Sequence, residues 1–138
     1  MHERGVIRNR DMAMHIRDFS GLRFGNITPT DIDGFLEFGG RLFVFIEGKR
    51  PGAPCPGGQM RAFASAVDAL HLPPRRYATA IIVDHSTSAD DIDYAAATVR
   101  SWRWGGQWRK PLQQGITLRA SIDRLLAWSE RARMRVVK

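Results

Sequence analysis

The stretch "TDIDGFLEFGGRLFVFIEGKR", residues 30–50, contains two apolar runs separated by Gly39-Gly40. Aromatic and β-branched residues in short runs around a glycine pair predict two strands, at residues 31–38 and 42–49. The second run, "LFVFI", is apolar on both faces and therefore predicts a strand inside the sheet. This strand nevertheless ends in Glu47-Gly48-Lys49, and a buried charge is costly unless it is paired or binds a metal. The end of the second strand is therefore the first place to look for chemistry.

The length of the turn decides which side chains share a face of this hairpin. A two-residue turn sends Asp33 and Glu47 to opposite faces, because alternate residues of a strand point in opposite directions. A three-residue turn pairs Phe38 with Leu42 and Asp33 with Glu47. Both turns are common in hairpins, and we favour the three-residue turn because it also matches large hydrophobic residues across the strands.

In that register two carboxylates converge beside the ammonium group of Lys49, and Asp31 shares the face of Asp33. Oxygen ligands of this kind suit Mg²⁺ or Mn²⁺. A metal lowers the pKa of a bound water, and a lysine can stabilise negative charge that develops on a phosphate. The residues therefore suit phosphodiester hydrolysis. The alternative is that the aspartates are ordinary turn residues and that Glu47 and Lys49 form a surface ion pair of little energetic weight.

The elements around the hairpin predict an α/β protein. Residues 8–18 are predicted to form a short helix and residues 22–27 an extended segment. Apolar residues between Met60 and Leu70 recur at helical spacing. "YATAIIVD", residues 77–84, predicts another buried strand, and the preceding prolines make a helix-to-strand crossover plausible. The predicted order is helix, strands, helix, strand.

The last third of the chain is basic and rich in tryptophan. Residues 88–91 suggest a helix cap, "ATVRSWRWGGQWRKP" (97–111) a hairpin about Gly105-Gly106, and residues 117–133 an amphipathic helix. Residues 100–138 hold ten Arg or Lys against two acids, and the net charge of the chain is +7. Such a surface attracts polyanions, so nucleic acid is the expected partner.

Aromatic rings interleaved with basic side chains suit base stacking and phosphate contacts. The residues predicted to contact nucleic acid are Arg100, Arg103, Trp104, Arg109 and Lys110. The alternative is that the tryptophans belong to the core.

Length and composition predict one domain spanning residues 1–138. The single Cys55 excludes an internal disulfide and a cysteine-built zinc site, which favours a reducing compartment. Charges interrupt the N-terminal residues, and no apolar run approaches the length of a membrane span. We therefore expect a cytoplasmic protein of a bacterial host cell that does not engage membranes.

The residues of the candidate site also resemble a known family. Asp33-Gly34, then Glu47-Gly48-Lys49 after a hairpin, then Gly58-Gln59 at the start of a helix resemble the PD-(D/E)xK nuclease superfamily, which includes Holliday junction resolvases, restriction endonucleases and phage exonucleases. The resemblance covers roughly residues 8–85. It differs in two respects: the family's proline usually adjoins its aspartate, whereas Pro29 lies four residues before Asp33, and the glutamate of resolvase-like members is matched only by Glu3.

The resemblance implies a restriction-endonuclease-like core of αβββαβ order, at about residues 8–85, in which helices flank a central mixed sheet. A basic extension would follow at about 95–138. Asp33 and Glu47 would be metal ligands, with Asp31 competing for that role. Lys49 would be the catalytic lysine, and Gln59 would lie near the site.

The predicted function is that of a Mg²⁺- or Mn²⁺-dependent DNA endonuclease or exonuclease of phage or mobile-element type. Structure-selective or nonspecific cutting is expected, because little of the chain remains for a sequence-reading module. A homodimer would be needed for paired cuts on two strands. The alternatives are a noncatalytic nucleic-acid-binding protein on the same scaffold and a small protein-interaction factor.

Overall fold

The computed structural model of the chain describes residues 18–85 and 92–137, with side chains to residue 132. Contacts divide the chain into two units, residues 1–30 and 31–138. The predicted helix at 8–18, apart from Asp18, and the predicted cap at 88–91 lie outside the described residues, as does Glu3.

The described part of the first unit is a short turn structure rather than a strand. A 3₁₀ turn at Ser20–Leu22 is followed by a tight turn that is closed by hydrogen bonds between Phe24 and Ile27, with N···O distances of 2.8 and 3.0 Å. Gly25 has a φ of +64°, a conformation that glycine adopts without steric cost. The predicted extended segment at 22–27 was therefore wrong, because Gly25-Asn26 is a turn-forming pair.

The second unit is an α/β fold built on a five-stranded mixed sheet. The strands, in both chain order and spatial order, are β1 (Gly34–Phe38), β2 (Leu42–Lys49), β3 (Tyr77–Asp84), β4 (Thr98–Trp104) and β5 (Gln107–Arg109). The helices are α1 (Gly57–Leu70) and α2 (Leu118–Val137). All neighbouring strands are antiparallel except β2 and β3, which are parallel. The predicted α/β class is confirmed, but in the described residues two strands precede α1, where the predicted order has three.

The hairpin of β1 and β2 has the three-residue turn that the sequence favours. Phe38 pairs with Leu42 and Gly34 with Ile46. Gly39 and Gly40 both have positive φ, at 58° and 71°, which explains why two glycines occupy the turn. Continued by one residue, this register brings the position just before β1, which is Asp33, opposite Glu47.

Helix α1 provides the crossover between the parallel strands, as predicted. Parallel strands cannot be joined by a tight turn and need a crossover of a dozen or more residues. The pairing extends from Leu42 with Tyr77 to Lys49 with Asp84. The carboxyl ends of β2 and β3 therefore lie together, at the edge where open α/β sheets usually place their sites.

The core lies in two layers, one on each face of the sheet. On one face, residues of β2 and β3 such as Val44 and Ile81 are buried with Ile122 and Leu125 of α2. On the other face, Phe63 and Val67 of α1 pack against a second set, Ala78, Ala80 and Ile82. Alternate residues of β3 thus contribute to opposite layers, and β2 lies inside the sheet, as predicted.

Among the described residues, no helix is both long enough and apolar enough to cross a membrane.

Replacing Leu42 by Ala should lower the free energy of unfolding by about 2–5 kcal/mol, because this 1% exposed side chain would leave a cavity in the core. Leu72→Ala is the matched control: Leu72 is 47% exposed, and its loss should cost well under about 1 kcal/mol. Urea denaturation of both variants measures the difference. Similar losses for both would contradict the described core.

Candidate functional site

Glu47 is a buried carboxylate at the end of β2. The residue is 5% exposed. Its Oε1 lies 3.2 Å from Nζ of Lys49, whose side chain is 20% exposed. Its Oε2 is fully buried and has no hydrogen-bond partner among residues 18–85 and 92–132. Among the described residues, Oε1 of Glu47 is therefore paired and Oε2 is not. A buried carboxylate oxygen without a donor is costly.

Burial raises the pKa of Glu47 above its ordinary value of 4.5, and the neighbouring Asp33 carboxylate raises it further. Hydrogen bonding and charge from Lys49, together with hydrogen bonding from Gln59, oppose the rise. Glu47 and Asp33 therefore lie close enough for their charges to repel each other, as the hairpin register requires.

Asp33 is held against the end of β2. Its Oδ2 accepts a hydrogen bond of 2.8 Å from the backbone N–H of Gly48. Asp33 and Asp31 are both exposed, and the charges of both raise the pKa of Tyr94. The two aspartates thus lie on the open side of the site, whereas Glu47 forms its buried side.

The first turn of α1 brings Gln59 to Glu47, and a cysteine accompanies it. The Sγ of Cys55 donates to Oε1 of Gln59 at 3.3 Å. Burial raises the pKa of the Cys55 thiol; the charge of Lys49 lowers it and that of Glu47 raises it. The structure therefore joins Asp33, Glu47, Lys49 and Gln59 at one end of the sheet, and adds Cys55, which was not predicted to belong to the site.

Tyr94 is a further residue of the site, and sequence reasoning missed it. It begins a 3₁₀ turn, Tyr94–Ala96, whose preceding residue Asp93 accepts from the N–H of Ala95. Burial raises the pKa of Tyr94 to about 12, and the neighbouring Asp33 carboxylate contributes to the rise.

The ring of Tyr94 occupies the space where a side chain at position 48 would lie. A Cβ built on Gly48 would come within 2.6 Å of Cε1 and 3.1 Å of the hydroxyl oxygen of Tyr94. The middle residue of Glu47-Gly48-Lys49 must therefore be glycine while this ring stays in place. That glycine, in the interior of a strand, was the one signal in the sequence for a close approach.

Arg100, predicted to contact nucleic acid, is engaged in a structural role beside the site. It forms an ion pair with Asp84, and its Nε lies 2.8 Å from Oδ1 of that residue. It also donates to the carbonyl oxygens of Ala53, at 2.6 Å, and Arg50, at 3.1 Å. Arg100 therefore stabilises the loop that connects β2 to α1.

Two other residues of that predicted set also have partners within the fold. Arg103 donates to both carboxylate oxygens of Asp68, at 3.0 and 2.6 Å, and lies 5.8 Å from the ring centroid of Trp108. Trp104 packs edge-on against His71 and Trp128, with ring centroids 4.6 and 5.4 Å apart.

Arg109 and Lys110 are exposed, and the Nε of Arg109 donates to the carbonyl oxygen of Trp104 at 3.1 Å. Of the five predicted contact residues, these two are therefore the ones that the fold leaves most open to solvent.

The side chains at the end of β2 fit a magnesium ion better than zinc. Within the part of the chain that the structure describes, no group of three or more His, Cys, Asp and Glu residues is placed to hold a metal. Mg²⁺, however, usually retains several waters and binds through one or two carboxylates. Asp33 and Glu47 supply two, and Oε2 of Glu47, which has no partner among the described side chains, is an oxygen that a cation would satisfy.

No protein-family model, curated protein or solved structure matches the chain. A function for the chain must therefore be inferred from the geometry of the site.

Replacing Glu47 by Gln should leave the metal-free protein as stable as the wild type or more stable at pH 7.5. Because folding raises the pKa of Glu47 above 4.5, the folded state binds its proton more tightly than the unfolded state. Ionised Glu47 therefore destabilises the wild-type protein. This destabilisation is absent below about pH 4.5 and develops as the pH rises through the folded-state pKa of Glu47. Thermal melting of the wild type and the variant in a chelator, from pH 4.5 to 8, measures the difference in stability.

The control for Glu47→Gln is Glu130→Gln, which removes an exposed carboxylate from α2 and should show no such pH-dependent gain. Lower stability of Glu47→Gln at pH 7.5, with a deficit that grows with pH, would contradict the raised pKa.

Replacing Gly48 by Ala should destabilise the protein by about 1–3 kcal/mol, since the new methyl group overpacks the contact with Tyr94. Tyr94→Ala removes the ring, so the same glycine substitution made in that variant should cost much less. Denaturation of the two single variants and the double variant gives the coupling. Additive losses would show that the ring does not set the requirement for glycine.

Proposed function

We propose that this protein is a metal-dependent nuclease that hydrolyses phosphodiester bonds in DNA. The observation that carries the proposal is the buried Glu47 carboxylate, whose Oε2 lacks a partner among the described residues and which lies beside Asp33 at the carboxyl edge of β2 and β3. A raised carboxyl pKa at such an edge is a feature of functional sites.

Asp33 and Glu47 would hold Mg²⁺ or Mn²⁺, and Asp31 is a further candidate ligand. When bound, the metal supplies an activated water and offsets negative charge on the phosphate. The chain itself arranges the ligands: the N–H of Gly48 fixes Asp33, and burial between neighbouring strands fixes Glu47.

Lys49 would stabilise the negative charge that develops on the phosphate. Its ammonium group lies 3.2 Å from Glu47 and is partly exposed, so it can remain beside the carboxylate while it faces a substrate. A cation placed in advance where charge develops contributes mainly to the transition state. Gln59, approaching from α1, would hold Glu47 in position by hydrogen bonding.

DNA as the substrate is supported by charge. The chain carries a net charge of +7, and the exposed basic residues Arg109, Lys110, Arg124 and Arg131 lie in the C-terminal third. Duplex DNA binds such surfaces with release of counterions. Positive charge does not select a sequence, which supports structure-selective or nonspecific cutting.

We extend the proposal to a restriction-endonuclease-like core. The succession of β1, β2, α1 and β3, with β3 parallel to β2, supports it. The position of Asp33 just before β1, beside Glu47 and Lys49 on β2, also supports it, as the resemblance to PD-(D/E)xK nucleases implies.

A noncatalytic DNA-binding protein is the second candidate. It is favoured by the ion pair between Lys49 and Glu47, which partly neutralises the buried carboxylate without a metal. On this alternative Asp33 would only support the backbone of β2 through Gly48.

Lys49→Ala should reduce cleavage by about 100-fold or more and leave DNA affinity nearly unchanged, because the chain has 21 basic residues. Asp33→Asn should behave in the same way, since it removes a metal-binding charge at nearly constant volume. The assay follows nicking of supercoiled, linear and branched DNA with Mg²⁺, Mn²⁺ or a chelator. Binding is measured separately in the chelator at two salt concentrations.

Lys110→Ala is the matched control, because it removes an exposed ammonium group outside the proposed site and should retain cleavage at saturating DNA. Equal residual cleavage by the wild type, Lys49→Ala and Asp33→Asn would rule out this site. Binding that weakens steeply with salt, without cleavage in either metal, would support the noncatalytic alternative.

A further inference from the structure

The inference concerns Tyr94, which contacts the candidate site from the opposite side of β2. Gly48 lies between Glu47 and Lys49, so its missing side chain would project to the other face of the sheet. The Tyr94 ring fills that space, as its distances to a Cβ built on Gly48 establish. The same ring is partly packed against the core layer of Val44 and Ile81.

The hydroxyl group of Tyr94 extends beyond this core layer. Its oxygen lies 3.1 Å from a Cβ built on Gly48, and the N–H of Gly48 donates to Oδ2 of Asp33 at 2.8 Å. Burial and the nearby Asp33 carboxylate raise the pKa of this hydroxyl. A carboxylate offers about four acceptor positions. A second donor from Tyr94, beside the N–H of Gly48, would leave about two positions free, so the aspartate could be held in one orientation and still bind a cation.

We propose that Tyr94 is the positioning residue of the site: its hydroxyl holds Asp33 in the orientation in which Asp33 and Glu47 can share one divalent cation. The inference rests on the proposed metal site. Tyr94 acts through Asp33 and does not touch the substrate, and the glycine of Glu47-Gly48-Lys49 is required because it lets the ring pass close to β2.

A role in packing alone predicts a different outcome. Packing depends on the ring, whereas positioning of Asp33 depends on the hydroxyl. Tyr94→Phe separates the two because it keeps the ring over Gly48 and removes the donor. Tyr77→Phe is the matched control: Tyr77 is the other tyrosine of the chain, is buried in the core, and stacks on Trp104.

Binding of Mn²⁺ alone, followed by electron paramagnetic resonance of the free ion, is the first measurement. Tyr94→Phe should weaken Mn²⁺ binding about 10- to 100-fold, the range expected when a hydrogen-bond partner of a metal ligand is removed. Tyr77→Phe should leave binding unchanged. In the Asp33→Asn background, Tyr94→Phe should cause little further loss, because the residue through which it acts is already altered.

Cleavage of supercoiled DNA as a function of Mn²⁺ concentration is the second measurement. Tyr94→Phe should raise the half-saturating concentration by a similar factor and recover most of the wild-type rate at saturation. Unchanged half-saturation and unchanged Mn²⁺ binding would overturn the role of Tyr94 while leaving the nuclease intact.

The two proposals fail in different ways. Weaker Mn²⁺ binding by Tyr94→Phe in a protein that does not cleave DNA would support the role of Tyr94 and overturn the nuclease. Failure of the wild-type protein to bind Mn²⁺ would overturn the metal site, and with it the positioning role. If Tyr94→Phe weakened Mn²⁺ binding equally in the wild-type and Asp33→Asn backgrounds, Tyr94 would not act through Asp33.

Discussion

The parallel pairing of β2 with β3 is the constraint on which the rest of the second unit depends. Parallel pairing requires a connection that returns the chain to the edge of the sheet where β2 begins. Helix α1 with its flanking loops provides this connection. The parallel pairing also places the carboxyl ends of both strands at one edge. Because β1 returns antiparallel to β2, the residue that precedes β1 reaches the same edge. Asp33, Glu47 and Lys49 thus meet as a consequence of strand directions.

Electrostatics at this edge oppose the burial that the fold imposes. The interior position of β2 is favourable for its apolar residues, but it also takes Glu47 out of water, and an ionised carboxylate in that position is costly. Lys49 compensates Oε1, and no group in the described part of the chain compensates Oε2. The protein therefore keeps a locally unfavourable charge within an otherwise apolar layer, which is the usual sign that a residue is retained for a purpose other than stability.

Much of the second unit could be predicted from local pattern. The glycine pair and the match of Phe38 to Leu42 identified the three-residue turn, and the apolar runs identified β2 and β3. The first unit could not be predicted in this way, because short apolar runs in "GLRFGNIT" suit a turn or a strand equally until Gly25 adopts its positive φ. The local sequence pattern indicates whether a segment forms a helix or a strand, but it does not indicate which other elements that segment contacts.

The candidate site was predictable to the same extent. Asp33, Glu47 and Lys49 follow from the hairpin register, and Gln59 from the resemblance. Tyr94 did not, because it is 46 residues from Gly48 in sequence and the contact depends on how β3 and β4 bring the chain back. The structural partners of Arg100, Arg103 and Trp104 could not be predicted for the same reason. Ion pairs and ring contacts between residues far apart in the sequence produce no periodic pattern.

The position of Cys55 gives this protein a chemical property unrelated to catalysis. It is the single thiol of the chain, it donates to Gln59, and its ionisation responds to the charges of Lys49 and Glu47. Because the thiolate is the reactive form, the rate at which an alkylating reagent modifies this thiol depends on the charge state at the end of β2. A probe on this half-buried thiol would therefore report from beside the carboxylates, without a cysteine being introduced or removed.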